Sequence, residues 1–569
     1  MNGGFGILSL TIAVPAVGAL LLALVPDAYT KAIKGLAIFL AAATFVVSLT
    51  VLSVFKGQSY HLQLVEQMNW LPQLGVSYKV GIDGISVWLF LLTTLLTLLS
   101  AIFSVYIEKR VKTYFVLMLL LEAAMLGVFV SLDLVLFYTF FEFTLIPMAM
   151  LVWIWGGAQR NYAAAKFFLY TFLASIFMLL GIIALANRYA DVMPGHEFTF
   201  DLVKIQNAVA SGVLWKGAGV LQPVLFWAFS LAFLVKCPMF PFHTWLPDAH
   251  TEAPTAGSMI LAGVLLKMGT YGFLRIVMPL FPEATQQNMW IMLTLAVVGI
   301  IYGAIVAAVQ PDVKKLVAYS SVAHMGFVMY GIFSLTHTGM VGGAYQQLNH
   351  GISTGALFLL IGLLYERIHT REFKAMGGLK AQMPVYAALF LIVMLSSVGL
   401  PGLNGFIGEF MAMAGGFQAA YQAGWAGLYL FAGLGVVLAA VYLLWMFQKV
   451  FYGKITNESL KGLKDLKPWE VGLVGVFVLF IFWGGIMPNT FLKPTEAAIN
   501  ATRQMVRNRP GARPVWGDLT YEVNEKGDLI RVDQRSDVGS YSGERIVLTN
   551  DYYLMEQPKA PMVAMGGGR

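Results

Sequence analysis

Residues 234–250 read LVKCPMFPFHTWLPDAH, and this stretch lies between two long apolar runs. It contains one lysine, Lys236, followed by three prolines, Pro238, Pro241 and Pro247. A proline inside a helix removes a backbone donor and clashes with the carbonyl four residues earlier. A helix that enters this stretch must therefore be interrupted, and it carries a cation at the interruption.

The composition assigns the whole chain to the membrane. Its 569 residues are 58% hydrophobic and 12% charged, whereas soluble domains carry about 25% charged residues. Apolar runs of about 20 residues recur, which is the length that spans a bilayer as a helix. The sequence thus predicts an all-α polytopic membrane protein whose environment is the lipid bilayer.

Charge and cysteine content exclude other classes. The formal net charge of +7 fits basic residues gathered in cytoplasmic loops, so no nucleic acid partner is expected. The single cysteine, Cys237, excludes a disulfide framework and a four-thiolate iron–sulfur cluster within this chain.

About fourteen spans are predicted from the apolar runs. The first run, near residues 5–25, lacks a basic leader and is interpreted as the first span, not as a cleaved signal peptide. Lys and Arg are concentrated in the loops after odd-numbered spans. The positive-inside rule then puts those loops in the cytoplasm and both termini outside.

A second interrupted span repeats the design of the first. Residues 396–410 read SSVGLPGLNGFIGEF, with Pro401, four glycines and Glu409. Unwound backbone is tolerated in a membrane only inside protein or along a wet cavity. Interrupted helices at corresponding positions of two halves indicate an inverted-repeat transporter, with spans 4–8 and 9–13 as repeats and breaks in spans 7 and 12.

The predicted division has five parts: residues 1–110 for accessory spans 1–3, 111–280 for the first repeat, 281–455 for the second, 456–490 for span 14, and 491–569 for a polar tail. Within the tail, LTYEVNEKGDLIRVD predicts a β-hairpin around Gly527. A partly ordered surface tail is the alternative.

Ionisable side chains within spans are functional candidates, because each costs about 2.5–3.5 kcal/mol on insertion. Asp83 and Asp133 lie near span ends, where helix capping is the simpler interpretation. Glu122 is equally consistent with a structural and a functional role. A purely structural ion pair is the alternative for Glu142, Lys236, Lys267 and Glu409, and a buried imidazole with its hydrogen bonds satisfied is the alternative for His324 and His350. The candidates nearest the middle of spans are Glu142, Lys236, Lys267, His324, His350 and Glu409.

Lys236 suits reversible proton binding. A desolvated lysine releases its proton readily, and a nearby carboxylate restores the charged form. With Glu142 as a mobile partner, the ion-pair distance would set the proton affinity. Arginine could not replace it, because arginine stays protonated.

Several of these stretches resemble a known family. They resemble the antiporter-like membrane subunits of respiratory complex I, above all the chain M type (mitochondrial subunit 4 type). The stretches that carry the resemblance are FEFTLIPM, LVKCPMFPFHTWLPDAHTEAPTAGSMILAGVLLKMGTYG, KKLVAYSSVAHMGFV, NHGISTGALFLLIG and GLPGLNGFIGEF. The resemblance covers about residues 80–455. Glutamate at position 409 favours chain M, since sister chains and Mrp-type subunits more often carry lysine or aspartate there.

The resemblance implies a proton channel in a translocase subunit of NADH:quinone oxidoreductase, in a bacterial inner membrane. Glu142, Lys236, Lys267 and Glu409 match the family's glutamate and lysine positions, and His324 and His350 fall on its polar axis. It implies no redox centre or cofactor in this chain. NADH, FMN, iron–sulfur clusters and quinone are expected in partner subunits, and two sister antiporter-like chains are expected as neighbours.

Two other functions remain open at this stage. One is a subunit of an Mrp-type or hydrogenase-linked cation/proton antiporter complex. The other is a haem-bearing cytochrome subunit with His324 and His350 as axial ligands, although haem pairs usually lie at two levels and no second pair is present.

Overall fold

The computed structural model describes residues 6–423, 427–455, 457, 460–507, 521–523 and 529–531. Helices dominate this part of the chain, as the apolar runs predict. They form one helical unit within residues 1–516, and residues 517–569 form a separate unit.

The first seven helices are apolar. These are α1 (Ile7–Leu24), α2 (Thr30–Val54), α3 (Val87–Phe103), α4 (Val111–Val130), α5 (Leu134–Phe143), α6 (Leu145–Trp155) and α7 (Arg160–Val192). A shorter helix, α8 (Leu202–Ala210), follows in the loop after α7. Asp133 and Asp201 cap α5 and α8, accepting hydrogen bonds from the first free backbone N–H groups.

A β-hairpin lies between α2 and α3. Strands β1 (Gln63–Leu71) and β2 (Val76–Ile82) pair antiparallel, with Met68 opposite Tyr78. The buried carboxylate of Glu66 in β1 accepts hydrogen bonds from the backbone N–H groups of Leu8 and Ser9. The hairpin thereby satisfies donors that the first turn of α1 leaves without intrahelical partners.

The predicted break in span 7 is confirmed. Helix α9 (Leu221–Lys236) ends at the lysine, and residues 237–244 form turns before α10 (Trp245–Glu252) begins. The Phe240–Pro241 peptide bond in this break is cis. Trp245 closes the break by donating from its indole nitrogen to the Val235 carbonyl, at 2.9 Å.

Span 8 contains two π-helical segments, which were not predicted from the sequence. Helix α11 (Thr255–Ile260) passes into a π-helical segment, Leu261–Leu265, and then into α12 (Leu266–Gly272). A second π-helical segment, Phe273–Val277, leads into α13 (Met278–Leu280). The whole span is buried inside the bundle.

The second half continues with α14 (Pro282–Ala308), α15 (Val313–Phe333), α16 (His337–Ile368), α17 (Leu379–Gln382) and α18 (Pro384–Val398). The predicted break in span 12 is confirmed, because residues 399–403 are not helical and α19 (Asn404–Ala423) follows. Then come α20 (Gly427–Phe451), α21 (Pro468–Ile486) and α22 (Asn489–Arg507).

The number of spans can be compared with the sequence. Within the described residues, 12 helices are long and apolar enough to cross a membrane. Two shorter apolar helices, Leu221–Lys236 and Pro384–Val398, are the first halves of the interrupted spans. Counting each interrupted span once agrees with fourteen crossings, although that count and the inverted repeat stay predictions.

Helix α22 is amphipathic and packs on one end of the bundle. Trp88 donates to the Phe491 carbonyl at 3.0 Å, and His337 lies 2.6 Å from the side-chain oxygen of Asn500. Residues 491–507, which the sequence analysis included in the polar tail, are thus largely packed against α3, α14 and α16.

In the second unit, strands β3 (Tyr521–Val523) and β4 (Leu529–Arg531) pair antiparallel. This pairing agrees with the hairpin predicted there. Gly527 itself lies outside the described residues.

Candidate functional site

Lys267 is a fully buried lysine at the centre of the bundle. It belongs to α12, between the two π-helical segments of span 8. Its Nζ lies 2.6 Å from Nδ1 of His350 and also donates to the Ala262 carbonyl in the first π-helical segment. A lysine with these partners is held in place and can exchange a proton with the imidazole.

His350 leads on to a second histidine and a carboxylate. The ring centroids of His324 and His350 are 5.8 Å apart. His324 Nδ1 lies 2.7 Å from Oε1 of Glu409, and Gln346 donates to the same oxygen at 2.9 Å. All of these side chains are buried. Four of the predicted site residues therefore form one row of neighbouring groups.

A small cavity accompanies this row. It has a volume of about 10 Å³, which is room for about one water molecule, and its lining includes His324, His350 and Glu409. Within the described residues, the Nε2 atoms of both histidines and Oε2 of Glu409 are buried without a protein hydrogen-bond partner. The cavity thus adjoins the groups that need a further hydrogen bond.

Lys236 and Glu142 form a second group. Lys236 ends α9, where the partial negative charge of the helix terminus favours a cation. Its Nζ donates to Thr144 Oγ1 at 3.2 Å and lies 4.7 Å from the centroid of the Phe141 ring. Thr144 itself is the residue at which α5 gives way to α6.

The predicted ion pair between Glu142 and Lys236 is not formed in this structure. Among the described residues, no Glu142 oxygen lies within ion-pair distance of a cationic nitrogen. The structure thus presents the separated arrangement of the pair, with Thr144 as the contact of the lysine.

The row that begins at Lys267 and the group formed by Lys236 and Glu142 come together at Gly269. A Cβ atom at this position would lie 2.8 Å from Cys237, which follows Lys236, and 2.6 Å from the Phe233 carbonyl. Helix α12 therefore packs directly against the break after α9. Only a glycine allows this approach of the element that carries Lys267 to the end of the helix that carries Lys236.

His250 is a buried ionisable residue that the sequence analysis did not select. It lies in α10, and its ring stacks on Phe358 with centroids 4.6 Å apart. His250 could have been selected from the sequence, because it is the last residue of the stretch 234–250, whose prolines predict a break inside the membrane.

Asp83 and Asp133 have structural surroundings. Asp133 caps α5, as predicted. Asp83 is paired with Arg275, which was not selected from the sequence. Glu122 is fully buried in α4, and neither of its carboxylate oxygens has a hydrogen-bond partner among the described residues. Lys314, which was also not selected from the sequence, donates to the Ala253 carbonyl at 2.5 Å.

Among the described residues, no group of three or more His, Cys, Asp or Glu side chains could hold a metal ion.

Comparisons with known proteins match this arrangement of helices. Residues 131–445 match the family model described as "NADH:quinone oxidoreductase/Mrp antiporter, TM". The NADH-quinone oxidoreductase subunit M of Rickettsia prowazekii (strain Madrid E) is 43% identical over 491 residues, which are 85% of this chain and 96% of the relative. The subunit M of Rhodobacter capsulatus is 44% identical over 487 residues, covering 85% and 93% of the two chains.

Solved structures agree with the sequence matches. A chain of respiratory complex I from Thermus thermophilus with bound NADH is 34% identical, with a TM-score of 0.77, and the match covers 88% of this chain and 100% of that one. A chain of the Mrp complex from Dietzia sp. DQ12-45-1b has a TM-score of 0.74 at 21% identity, covering 87% and 97% of the two chains, and this likeness concerns the fold alone.

Proposed function

Because this chain belongs to the subunit M family of NADH-quinone oxidoreductase, the proton-translocating complex I, we propose that it carries protons along Lys267, His350, His324 and Glu409, and that Glu142 and Lys236 supply them. The observation that supports this route is the row of short contacts from the Lys267 ammonium through His350 and His324 to the Glu409 carboxylate.

Each transfer along the row has a donor and an acceptor. The charged Lys267 gives a proton from Nζ to Nδ1 of His350, which leaves the amine neutral and the imidazole charged. An imidazole can accept a proton at one ring nitrogen and release one from the other. Since the two histidine rings are 5.8 Å apart, a water molecule in the adjoining cavity would bridge their Nε2 atoms. His324 then protonates Glu409 through Nδ1.

The supply step depends on the distance between Glu142 and Lys236. When the carboxylate approaches, it favours the charged lysine, and when it withdraws, the buried lysine favours release. In the arrangement described here the two are apart and Lys236 contacts Thr144. This arrangement corresponds to the state in which Lys236 delivers its proton toward Lys267.

The chain works within a larger assembly. As a subunit of complex I, it has other subunits of that complex as partners, and we propose two sister antiporter-like chains among its neighbours in the membrane. NADH, FMN, iron–sulfur clusters and quinone would be held by partner subunits, and the free energy of quinone reduction would drive the Glu142 movement. We also propose that both termini face the periplasm and that the five-part division of the chain reflects two inverted repeats.

The test is a histidine substitution in the middle of the row. In membrane vesicles, His350→Gln should lower proton pumping driven by NADH by about tenfold or more, since an amide cannot relay a proton. The matched control is His337→Gln, because His337 begins the same helix, α16, and lies outside the row. An assembled His350→Gln complex that pumps at the parental rate would contradict the proposed route.

A further inference from the structure

A buried ion pair fixes the far end of span 8. Arg275 lies in the second π-helical segment, Phe273–Val277, beyond Lys267 in the same span. Its Nη2 contacts Oδ1 of Asp83, and the two side chains are 3% and 0% exposed. An ion pair this deeply buried has a defined geometry, because neither charge can be left without the other.

Asp83 is itself immobilised. Its Oδ1 accepts hydrogen bonds from the backbone N–H groups of Ile85, at 3.0 Å, and Ser86, at 3.2 Å. The next residue, Gly84, lies against α22 so closely that a Cβ atom there would be 1.7 Å from the Pro494 carbonyl oxygen. Asp83 thus offers Arg275 a fixed point at the entrance of α3.

A change in either π-helical segment would change the register of span 8. A π-helical turn holds more residues than an α-helical turn, and such turns are frequent at functional sites. One residue of α-helix corresponds to a rotation of about 100° about the helix axis. If either π-helical segment relaxed by one residue, α12 would rotate and Lys267 would turn away from His350.

Further contacts hold the same half of the span in the observed register. Gln206 donates to the Arg275 carbonyl at 3.0 Å, and the Tyr271 hydroxyl donates to the Phe129 carbonyl at 2.9 Å. Thr270 Oγ1 donates to Gln347 on α16 at 2.8 Å. Of these contacts, only the Asp83–Arg275 pair involves two charges, so its loss should shift the register most.

We propose that the Asp83–Arg275 pair is a positioning pair, which holds the second π-helical segment in register and so keeps Lys267 directed at His350. The functional consequence rests on the proposed proton role of Lys267. The position itself can be measured without reference to proton transfer.

The experiment uses the distance between positions 270 and 347, which are in contact in this structure, as a reporter of the rotation of α12. Cysteines replace Thr270 and Gln347 in a Cys237→Ser background, and a short bifunctional thiol reagent joins them in the assembled complex. The yield of the joined peptide is measured by mass spectrometry. Asp83→Asn combined with Arg275→Gln removes both charges while keeping polar side chains, which avoids stranding one buried charge.

We expect the cross-linking yield to fall several-fold in the Asp83→Asn/Arg275→Gln variant. The matched control is Lys112→Gln combined with Asp27→Asn, because that ion pair, at 3.4 Å, joins the start of α4 to the turn between α1 and α2 and includes no residue of α8 or span 8. The yield should remain parental in this control.

The results distinguish the positioning role of the Asp83–Arg275 pair from the proton role of Lys267. An unchanged yield in the assembled Asp83/Arg275 variant would overturn the inference, and so would failure of this variant to assemble, since the pair would then serve folding itself. A reduced yield with parental proton pumping would support the positioning pair and contradict the proton role of Lys267.

Discussion

Lys236 shows how one side chain can serve two protonation states. Its ammonium group is buried, and its direct polar contact is a neutral hydroxyl, Thr144 Oγ1, at 3.2 Å. The Glu142 carboxylate is outside ion-pair distance. Since burial disfavours the charged amine and a close carboxylate favours it, a movement of Glu142 toward or away from the amine would change the proton affinity of Lys236.

The pairing of these two residues leads to a prediction. Glu142→Gln should reduce NADH-driven proton pumping as strongly as Lys236→Ala, by about tenfold, because the lysine loses the charge that loads it. The variant carrying both changes should be no worse than either alone, and Glu496→Gln, on the exposed face of α22, should pump normally. Proton uptake by vesicles measures all four, and additive losses would mean that the two residues act independently.

At this scale the sequence predicts residue types better than contacts. The cost of an ionisable group in a bilayer was enough to select Lys267, His324, His350 and Glu409, which lie in one row. It could not predict the partner of Lys236. Thr144 is a neutral residue, so nothing in the sequence marks it as the contact of a buried cation.

At the scale of a single element, the break in span 12 explains why four glycines occur close together in this span. Gly399 and Gly402 have φ angles of +82° and +92°, which side chains rarely adopt. Gly405 and Gly408 have ordinary φ angles but close neighbours, since a Cβ atom would lie 2.1 Å from the Ser396 carbonyl and 2.4 Å from Gln346 Oε1. The break and the packing of α19 on α16 thus both depend on glycine.

Gly399 and Gly402 make a matched pair for a test of the break. Alanine at either site should lower the free energy of unfolding by about 1–2 kcal/mol, the cost of the left-handed conformation. A Cβ atom at Gly399 would also lie 3.3 Å from Glu409 Oε2, whereas none of the described atoms lies within 4 Å at Gly402.

Gly399→Ala should therefore reduce proton pumping per NADH oxidised, and Gly402→Ala should leave that ratio at the parental value. The ratio is measured in vesicles that contain equal amounts of assembled complex. Equal losses in both variants would show that strain in the break, and not crowding of Glu409, limits proton transfer.

Prolines made the two long breaks predictable, but other interruptions were missed. Pro147 lacks the N–H that would bond to the Phe143 carbonyl, which explains the interruption between α5 and α6. The π-helical segments of span 8 have no such marker. The second segment is contacted from elsewhere in the chain, by Asp83 at the Arg275 side chain and by Gln206 at the Arg275 carbonyl, and such contacts cannot be read from the local sequence.

At the largest scale, the helical unit combines an apolar bundle with a row of buried polar groups. Helix α22 joins parts of the chain that are far apart in sequence, since its residues contact Trp88, Gln286 and His337. The sequence analysis did not foresee this helix because its polar and apolar residues alternate by face, so no apolar run marks it. The apolar runs did predict the membrane class and the main helices.

The proposed orientation can be tested on the whole complex in intact cells. Glu197→Cys lies in the exposed loop after α7, and Lys374→Cys lies in an exposed part of the loop after α16. An impermeant thiol reagent should label Glu197→Cys from outside and should label Lys374→Cys only after permeabilisation. The native Cys237 is buried and free, so it serves as the unlabelled background, and the reverse labelling pattern would invert the proposed direction of the route.

The central claim is that protons leave the row of buried groups through Glu409. Its carboxylate lies 2.7 Å from His324 and accepts a hydrogen bond from Gln346 at 2.9 Å. If Glu409 only braced the start of α19 by hydrogen bonding, glutamine could replace it. If it carries protons, glutamine cannot, and aspartate retains part of the activity where a water molecule spans the missing methylene.

The most direct measurement is proton pumping driven by NADH in vesicles, with assembly of each variant checked on a native gel. We expect the assembled Glu409→Gln complex to lose pumping by about tenfold or more, and Glu409→Asp to retain a clear fraction of the parental rate. An assembled Glu409→Gln complex that pumps at the parental rate would contradict proton transfer through Glu409 and leave this residue with a bracing role alone.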